Sequence, residues 1–350
     1  MPENGTPAIV AEDLVKVYPG RGRRPAVRAL DGLGFTVPAG GVFGLLGPNG
    51  AGKSTTTKIL TTLSHPTSGT ARVAGHEVTR EPDAVRAAIG YVSQGASTDP
   101  LLTALENLEI AARLRGVSAG EARGRAQRLL DQFGLAEAAR RPVSTFSGGM
   151  RRRLDVAAAL VHRPRVLFLD EPTTGLDPEA RAAMWAEIRR LAGEEPSPGE
   201  ERQPLTVVLT THYMEEADRL ADELLIVNRG RAVVQGTPAS LKAALHGDSL
   251  RVTLIEPDAA AVRAAVAGVP GLRDVVVEAS GVDGVLAART DDASAAVGAV
   301  IGALDAAGIR FGQVAASHPT LDDVYLHFVG HTFAEAGALA APADAEGAAA

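Results

Sequence analysis

Residues 47–55 read Gly47-Pro48-Asn49-Gly50-Ala51-Gly52-Lys53-Ser54-Thr55, a complete G-x-x-x-x-G-K-[ST] pattern directly behind the apolar stretch Val42–Leu46. This order constrains the chain more than any other feature, because a buried strand must pass through a glycine-rich turn into a helix. Glycines let consecutive backbone N–H groups converge on one anion, and the helix N-terminus adds partial positive charge and unpaired donors. Lys53 then reaches the β- and γ-phosphates of a nucleotide, and the Ser54 hydroxyl is placed to ligate Mg2+. A plain Gly-rich turn before a helix is the simpler alternative, but lysine is scarce here. Lys16, Lys53, Lys58 and Lys242 are the only ones in 350 residues, so a compact point charge stands where phosphates want it.

Composition bounds the rest. A chain of 350 residues that is 45% hydrophobic and 22% charged can bury one large core and a smaller second one. A net charge of −7 argues against a broad nucleic-acid-binding surface, which needs clustered Lys and Arg. Zero cysteines exclude disulfides, thiol catalysis and Cys-based zinc sites. Met1–Ala8 lacks a basic-then-apolar leader pattern, and no apolar run approaches the roughly 18 residues of a membrane span, so a soluble, cytoplasmic protein is expected.

Along the chain, a β-rich opening (Ile9-Val10, Leu14–Tyr18, Leu33–Val37) is interrupted by a basic loop at residues 21–25. Strands are expected at Gly69–Val73 and Ile89–Val92, after which helical periods take over. Thr103-Ala104-Leu105-Glu106 is a capping box, and a second helix should cover about Gly120–Phe133, giving a helical subdomain over about 100–162. Val166–Leu169 and Val207–Thr210 are short continuous apolar runs, the mark of buried parallel strands. Residues 193–204 are polar and proline-rich enough to form a disordered surface insertion. From 249 on, the expected order β-α-β-β-α-β is a ferredoxin-like plan, followed by a helix over Leu321–Val329 and a disordered tail over 331–350. The domains are thus 8–245, a nucleotide-binding α/β unit with a β-rich edge and a central, mostly parallel sheet, and 249–330, a small α+β accessory unit.

Val166-Leu167-Phe168-Leu169-Asp170-Glu171 ends a buried strand on adjacent carboxylates. Neighbouring strand side chains face opposite ways, so the two acids have different tasks unless the strand ends between them. Asp170 suits an outer ligand to Mg2+, and Glu171 suits the residue that polarises an attacking water. A solvated acidic strand end is the alternative for such a pair in isolation. Upstream, Phe146-Ser147-Gly148-Gly149-Met150 opens another helix with a hydroxyl and two glycines, which reads as an N-cap or as a second anion-binding helix start.

Together these motifs over about residues 8–240 resemble the nucleotide-binding subunit of ABC transporters, a P-loop NTPase family. The resemblance implies ATP with Mg2+ and a homodimer with composite sites, in which Ser147, Gly148 and Gly149 meet the γ-phosphate held by the opposite chain. Phe146 and Met150 depart from the family's usual Leu and Gln. It further implies that Tyr18 stacks on adenine, that Gln94 touches Mg2+ and water and senses the membrane partner, that Asp177 lies in a loop exchanged across the dimer, and that His212 contacts the γ-phosphate. A separately encoded integral membrane permease and a peripheral position on the inner face of the membrane follow from the same likeness. Ser-Gly-Gly-Met-Arg-Arg-Arg and the ending Pro319-Thr320-Leu321-Asp322-Asp323-Val324-Tyr325 are most similar to daunorubicin-resistance-type drug exporters. Lipid or polysaccharide export, or a soluble ABC ATPase, are the alternatives. A P-loop kinase or GTPase would not need Ser147-Gly148-Gly149.

Overall fold

The computed structural model describes residues 6–20, 25–95, 97–193, 204–280 and 283–329. Most of the expected basic loop, the polar insertion and the tail lie outside these residues. The chain divides into two compact units, residues 1–235 and 236–350.

In the first unit, β1 (Ile9–Tyr18) pairs antiparallel with β2 (Val27–Val37), and β3 (Gly41–Leu46) leads to α1 (Lys53–Leu60). β4 (Ser68–Val73) and β5 (His76–Glu77) complete an edge sheet ordered β2-β1-β4-β5. Next come α2 (Pro82–Ala88), β6 (Ile89–Val92), and the helices α3 (Ala104–Leu114), α4 (Ala119–Gln132) and α5 (Gly148–Leu160). The run ends with β7 (Val166–Asp170), α6 (Pro178–Gly193), β8 (Thr206–Thr211), α7 (Met214–Leu220), β9 (Glu223–Asn228) and β10 (Arg231–Gly236). The central sheet is ordered β10-β9-β3-β8-β7-β6, with β9, β3, β8, β7 and β6 parallel.

Both faces of that sheet are covered, which is why its strands read as unbroken apolar runs. Leu167, Leu169, Val207 and Leu209 face one core with Leu105, Leu108, Met184 and Ile188. Val166, Phe168 and Val208 face the other, with Phe43, Leu45 and the edge-sheet residues Ile9, Leu14 and Leu33. The capping box forms as its spacing predicts: Thr103 Oγ1 accepts from the Glu106 N–H and Glu106 Oε2 accepts from the Thr103 N–H. Among the described residues no helix is long and apolar enough to cross a membrane.

In the second unit, α8 (Pro238–Ala243) precedes β11 (Asp248–Ile255), α9 (Ala259–Val266), β12 (Arg273–Ser280), β13 (Asp283–Thr290), α10 (Ala293–Ala306), β14 (Phe311–Ser317) and α11 (Leu321–Val329). The antiparallel order β12-β13-β11-β14 places the first and third strands of the βαββαβ repeat at the centre, the ferredoxin-like arrangement. In this division α8, which packs against α11, belongs to the second unit.

One local feature differs from the sequence expectation. Ile9-Val10 and Leu14–Tyr18 belong to a single strand that continues through a bulge. Glu12 pairs with Thr70 and Val15 with Ser68, leaving Asp13 and Leu14 opposite Gly69. Asp13 adopts φ +47° and Gly69 φ +86°, and a Cβ at Gly69 would lie 2.3 Å from the Asp13 carbonyl oxygen. Only glycine fits there. Gly69→Ala is therefore expected to cost about 1–3 kcal/mol of stability. A lowered urea midpoint for the first unit checks this, and an unchanged midpoint would contradict the clash.

Candidate active site

Parallel strands deliver their carboxyl ends to one edge of a sheet, and in such folds ligands bind there. β3 lies between β8 and β9 and releases the chain at Gly47. The loop that follows is pressed against its neighbours. A Cβ on Gly47 would lie 2.4 Å from the Val227 carbonyl oxygen, and one on Gly52, at φ +112°, would lie 2.8 Å from that of Ala29. Behind the loop, Arg229 and Gly230 both have positive φ in the tight β9–β10 turn. The Gly230 N–H donates to the Ala51 carbonyl at 2.8 Å, while the Asp31 N–H donates to the Gly230 carbonyl at 2.9 Å. Thr56 Oγ1 donates to the Gly52 carbonyl at 3.0 Å and secures the first turn of α1.

Lys53 is only 5% exposed. Its Nζ donates to the Gly47 carbonyl at 2.6 Å and to the Pro48 carbonyl at 3.1 Å, so the ammonium curls over its own loop. Burial pushes its pKa down, and the charges of Glu171 and then Asp170 oppose that shift. The lysine and both acids thus share one electrostatic site.

β7 is buried along its length, and Asp170, its last residue, is 6% exposed. Thr210 Oγ1 on β8 donates to Asp170 Oδ1 at 2.5 Å. The strand ends between the two acids, the exception that the alternation argument allowed. Glu171 takes φ +46°, a left-handed conformation that costs an ordinary residue about 1–3 kcal/mol and concentrates at functional sites. Its N–H donates to the Thr210 carbonyl at 3.1 Å, and its Oε2 accepts from Thr174 Oγ1 at 3.2 Å. His212 Nδ1 lies 3.2 Å from Glu171 Oε1 but has no hydrogen-bond partner among the described residues. The His212 ring packs on Tyr213 with centroids 4.0 Å apart.

This arrangement can hold phosphates on backbone N–H groups and Lys53, and it offers a carboxylate beside an imidazole to a water. Ser54 and Asp170 are hard oxygen donors of the kind Mg2+ takes. No group of three or more His, Cys, Asp or Glu suited to hold a metal occurs among the described residues. Two such oxygen donors fit a Mg2+ whose remaining ligands would come from substrate phosphates and water.

The other candidate residues are more dispersed. Ser147 caps α5, its Oγ accepting from the Met150 N–H at 3.2 Å, and a Cβ on Gly149 would lie 3.1 Å from that of Ala180. Within one chain no hydrogen bond among the described residues joins Ser147, Gly148 or Gly149 to the phosphate loop. Asp177 caps α6, accepting from the Ala180 N–H at 2.8 Å. Gln94 is exposed in the loop leaving β6. Tyr18 ends β1 at 37% exposure, with Lys16 Nζ 5.0 Å from its ring centre.

Sequence reasoning missed several buried polar residues. Arg152, Thr210, Thr173 and Glu216 are all buried. Thr173 Oγ1 and Trp185 Nε1 both donate to Glu216 Oε1, at 2.7 and 3.1 Å. Helical phase could have flagged Arg152, since it shares the buried face of α5 with Asp155 and Val156 while Arg151 faces outward.

Comparison with known proteins accords with this geometry. The sequence pattern described as ABC transporter matches residues 30–174. The daunorubicin resistance ATP-binding protein DrrA3 of Streptomyces coeruleorubidus is 47% identical over 303 residues, 87% of this chain and 92% of that protein. The daunorubicin/doxorubicin resistance ATP-binding protein DrrA of Streptomyces peucetius is 44% identical over 330 residues, 93% of each chain. The Nod factor export ATP-binding protein I of Ralstonia nicotianae is 43% identical, over 67% of this chain and 69% of that protein. Among solved structures, a dimeric post-hydrolysis state of an ATP-binding cassette bound to ADP and Pi is 26% identical with a TM-score of 0.57, covering 65% of this chain and 98% of that one. The phosphate loop, the paired acids and the similarity to the two daunorubicin-resistance proteins over most of each chain make the chain a member of the ABC transporter family, an ATP-binding subunit of the exporter type that hydrolyses ATP.

Proposed function

We propose that this chain powers export of a drug-like or antibiotic substrate through a separate integral membrane permease and lies peripherally on the inner face of the cell membrane. The observation that carries the reading is the buried Lys53 ammonium at the head of α1, in the field of Asp170 and Glu171. The backbone of Gly47–Thr55 and Lys53 cradle the β- and γ-phosphates, and Tyr18 offers a π-face to adenine. Ser54, Asp170 and Gln94 would hold Mg2+, which neutralises phosphate charge when bound. Glu171 accepts a proton from the attacking water as the new P–O bond forms and the bond to the ADP oxygen breaks. His212, beside Glu171, donates to the γ-phosphate.

Two such sites form in a homodimer, each completed by Ser147, Gly148 and Gly149 of the other chain, with Asp177 near the exchange. The N-cap geometry at Ser147 supports this, because a helix start flanked by two glycines can accept a second anion. Exposed apolar side chains in the helical region, Leu101 at 83% and Leu114 at 81%, support docking on a membrane partner. The similarity to drug-resistance subunits supports a drug-like cargo.

The direct test pairs the chain with a co-expressed multi-span permease in inside-out vesicles and measures ATP-dependent anthracycline uptake. Lys53→Ala should abolish uptake and lower ATP turnover about 10²-fold or more, with an unchanged circular dichroism spectrum. Wild-type turnover in that variant would overturn the site. Residues 249–330 are proposed as an accessory unit without nucleotide chemistry that steadies the dimer. A chain ending at Gln235 should still bind ATP while self-associating more weakly. Loss of ATP binding in the folded truncation would instead make the second unit part of the site.

A further inference from the structure

The residue with the widest reach around the paired acids is Arg152, which belongs to α5 and not to the strands that carry them. It is 9% exposed, a rare burial for a guanidinium, whose charge cannot be relieved by deprotonation. Each of its three nitrogens donates to a different backbone carbonyl. Nε donates to Pro172 at 2.9 Å, Nη1 to Ser93 at 2.6 Å and Nη2 to Asp170 at 3.0 Å. Two of these acceptors flank Glu171, and the third immediately precedes Gln94. A single planar fork therefore spans both sides of the left-handed turn at Glu171 and the start of the Gln94 loop.

The surroundings are built to keep the guanidinium there. Asp155, Asp170 and Glu216 lie close enough for their charges to oppose the drop in pKa that burial imposes on Arg152. Asp155 itself anchors the far end of the Gln94 loop, its Oδ1 accepting from Ser97 N–H and Oγ at 3.1 and 2.7 Å. Glu216, 1% exposed, fixes Thr173, the residue after Pro172. A left-handed residue flanked by unrestrained carbonyls would relax to an ordinary conformation and swing its carboxylate away.

We infer that Arg152 is a positioning residue: it holds Glu171 and the Gln94 loop in register, and through α5 it ties them to Ser147 at the head of the same helix. This rests on the hydrolytic role proposed for Glu171. The arrangement gives a mechanical route from one composite site to the other. Ser147 would engage the nucleotide of the opposite chain, and the turn of helix beginning there carries the fork that sets this chain's own Glu171.

Arg152 acts through Glu171, so its removal should separate chemistry from binding. In the full-length protein, Arg152→Gln is expected to lower kcat about 10- to 100-fold, as sub-ångström to ångström misplacement of a reacting group does, with ATP affinity within about threefold. Arg152→Lys keeps the charge but has no fork, and should recover only part of the rate. If the Gln variant does not fold, the Lys variant at matched helicity decides. The decisive comparison is the double variant: Arg152→Gln with Glu171→Gln should turn over no more slowly than Glu171→Gln alone, because the two residues work as one unit. Multiplicative losses, or a wild-type kcat in folded Arg152 variants, would overturn the inference. No turnover in the wild-type protein would instead overturn the hydrolytic function itself.

Discussion

Lys53 holds a positive charge at 5% exposure at the carboxyl end of a sheet covered on both faces, where desolvation works against it. Such a charge persists only if its donors are satisfied and opposite charges stand near. Here the Gly47 and Pro48 carbonyls accept its hydrogen bonds, while Glu171 and Asp170 supply the negative field. The loop shape, the glycines at 47 and 52, the Gly230 turn beneath and the placement of the acids all answer to that requirement. In the function proposed above, phosphates entering the loop would replace these carbonyl acceptors with anionic ones, which would tie nucleotide binding to rearrangement of the loop.

Around this centre the sheet supplies rigidity and the helices supply connection. β3, β7 and β8 end at the same edge, so Gly47, Asp170 and His212 arrive from separate stretches of sequence without long loops. α5 runs from Ser147 to a buried arginine that touches three backbone segments at that edge. One helix thus has one end proposed to meet a partner chain's nucleotide and a flank bonded to the backbone on either side of Glu171. The shared-site hydrolysis proposed above would require coupling of that kind.

Much of this was legible in the sequence where the signal is local. The phosphate loop is a contiguous pattern, the Thr103–Glu106 capping box is four residues long, and the apolar runs at β7 and β8 reflect burial on both faces. The βαββαβ order of the second unit followed from alternating periods. What escaped was set by contacts distant in sequence. The continuity of β1 through its bulge depends on Gly69, more than fifty residues on. The positive φ of Glu171 depends on β8 and on Arg152, and nothing beside it in the chain announces it. Arg152 itself was hidden in a run of three arginines, and only helical phase, which puts it on the buried face of α5, sets it apart. Asp177 and Ser147 both carry a local capping role that would exist without any partner chain.

The central claim is that hydrolysis proceeds in two shared sites, with Glu171 acting after ATP has brought two chains together. The most direct measurement is size-exclusion chromatography with light scattering on Glu171→Gln in ATP and Mg2+, with Ser147→Arg added as a control that blocks the contact between chains. Glu171→Gln keeps shape and hydrogen bonding but removes the proton acceptor, so the chemical step should slow about 10²–10⁴-fold while binding survives. The account predicts that this variant accumulates as an ATP-bound dimer and that Ser147→Arg returns it to monomer. A Glu171→Gln protein that stays monomeric with ATP demonstrably bound would contradict the shared-site account.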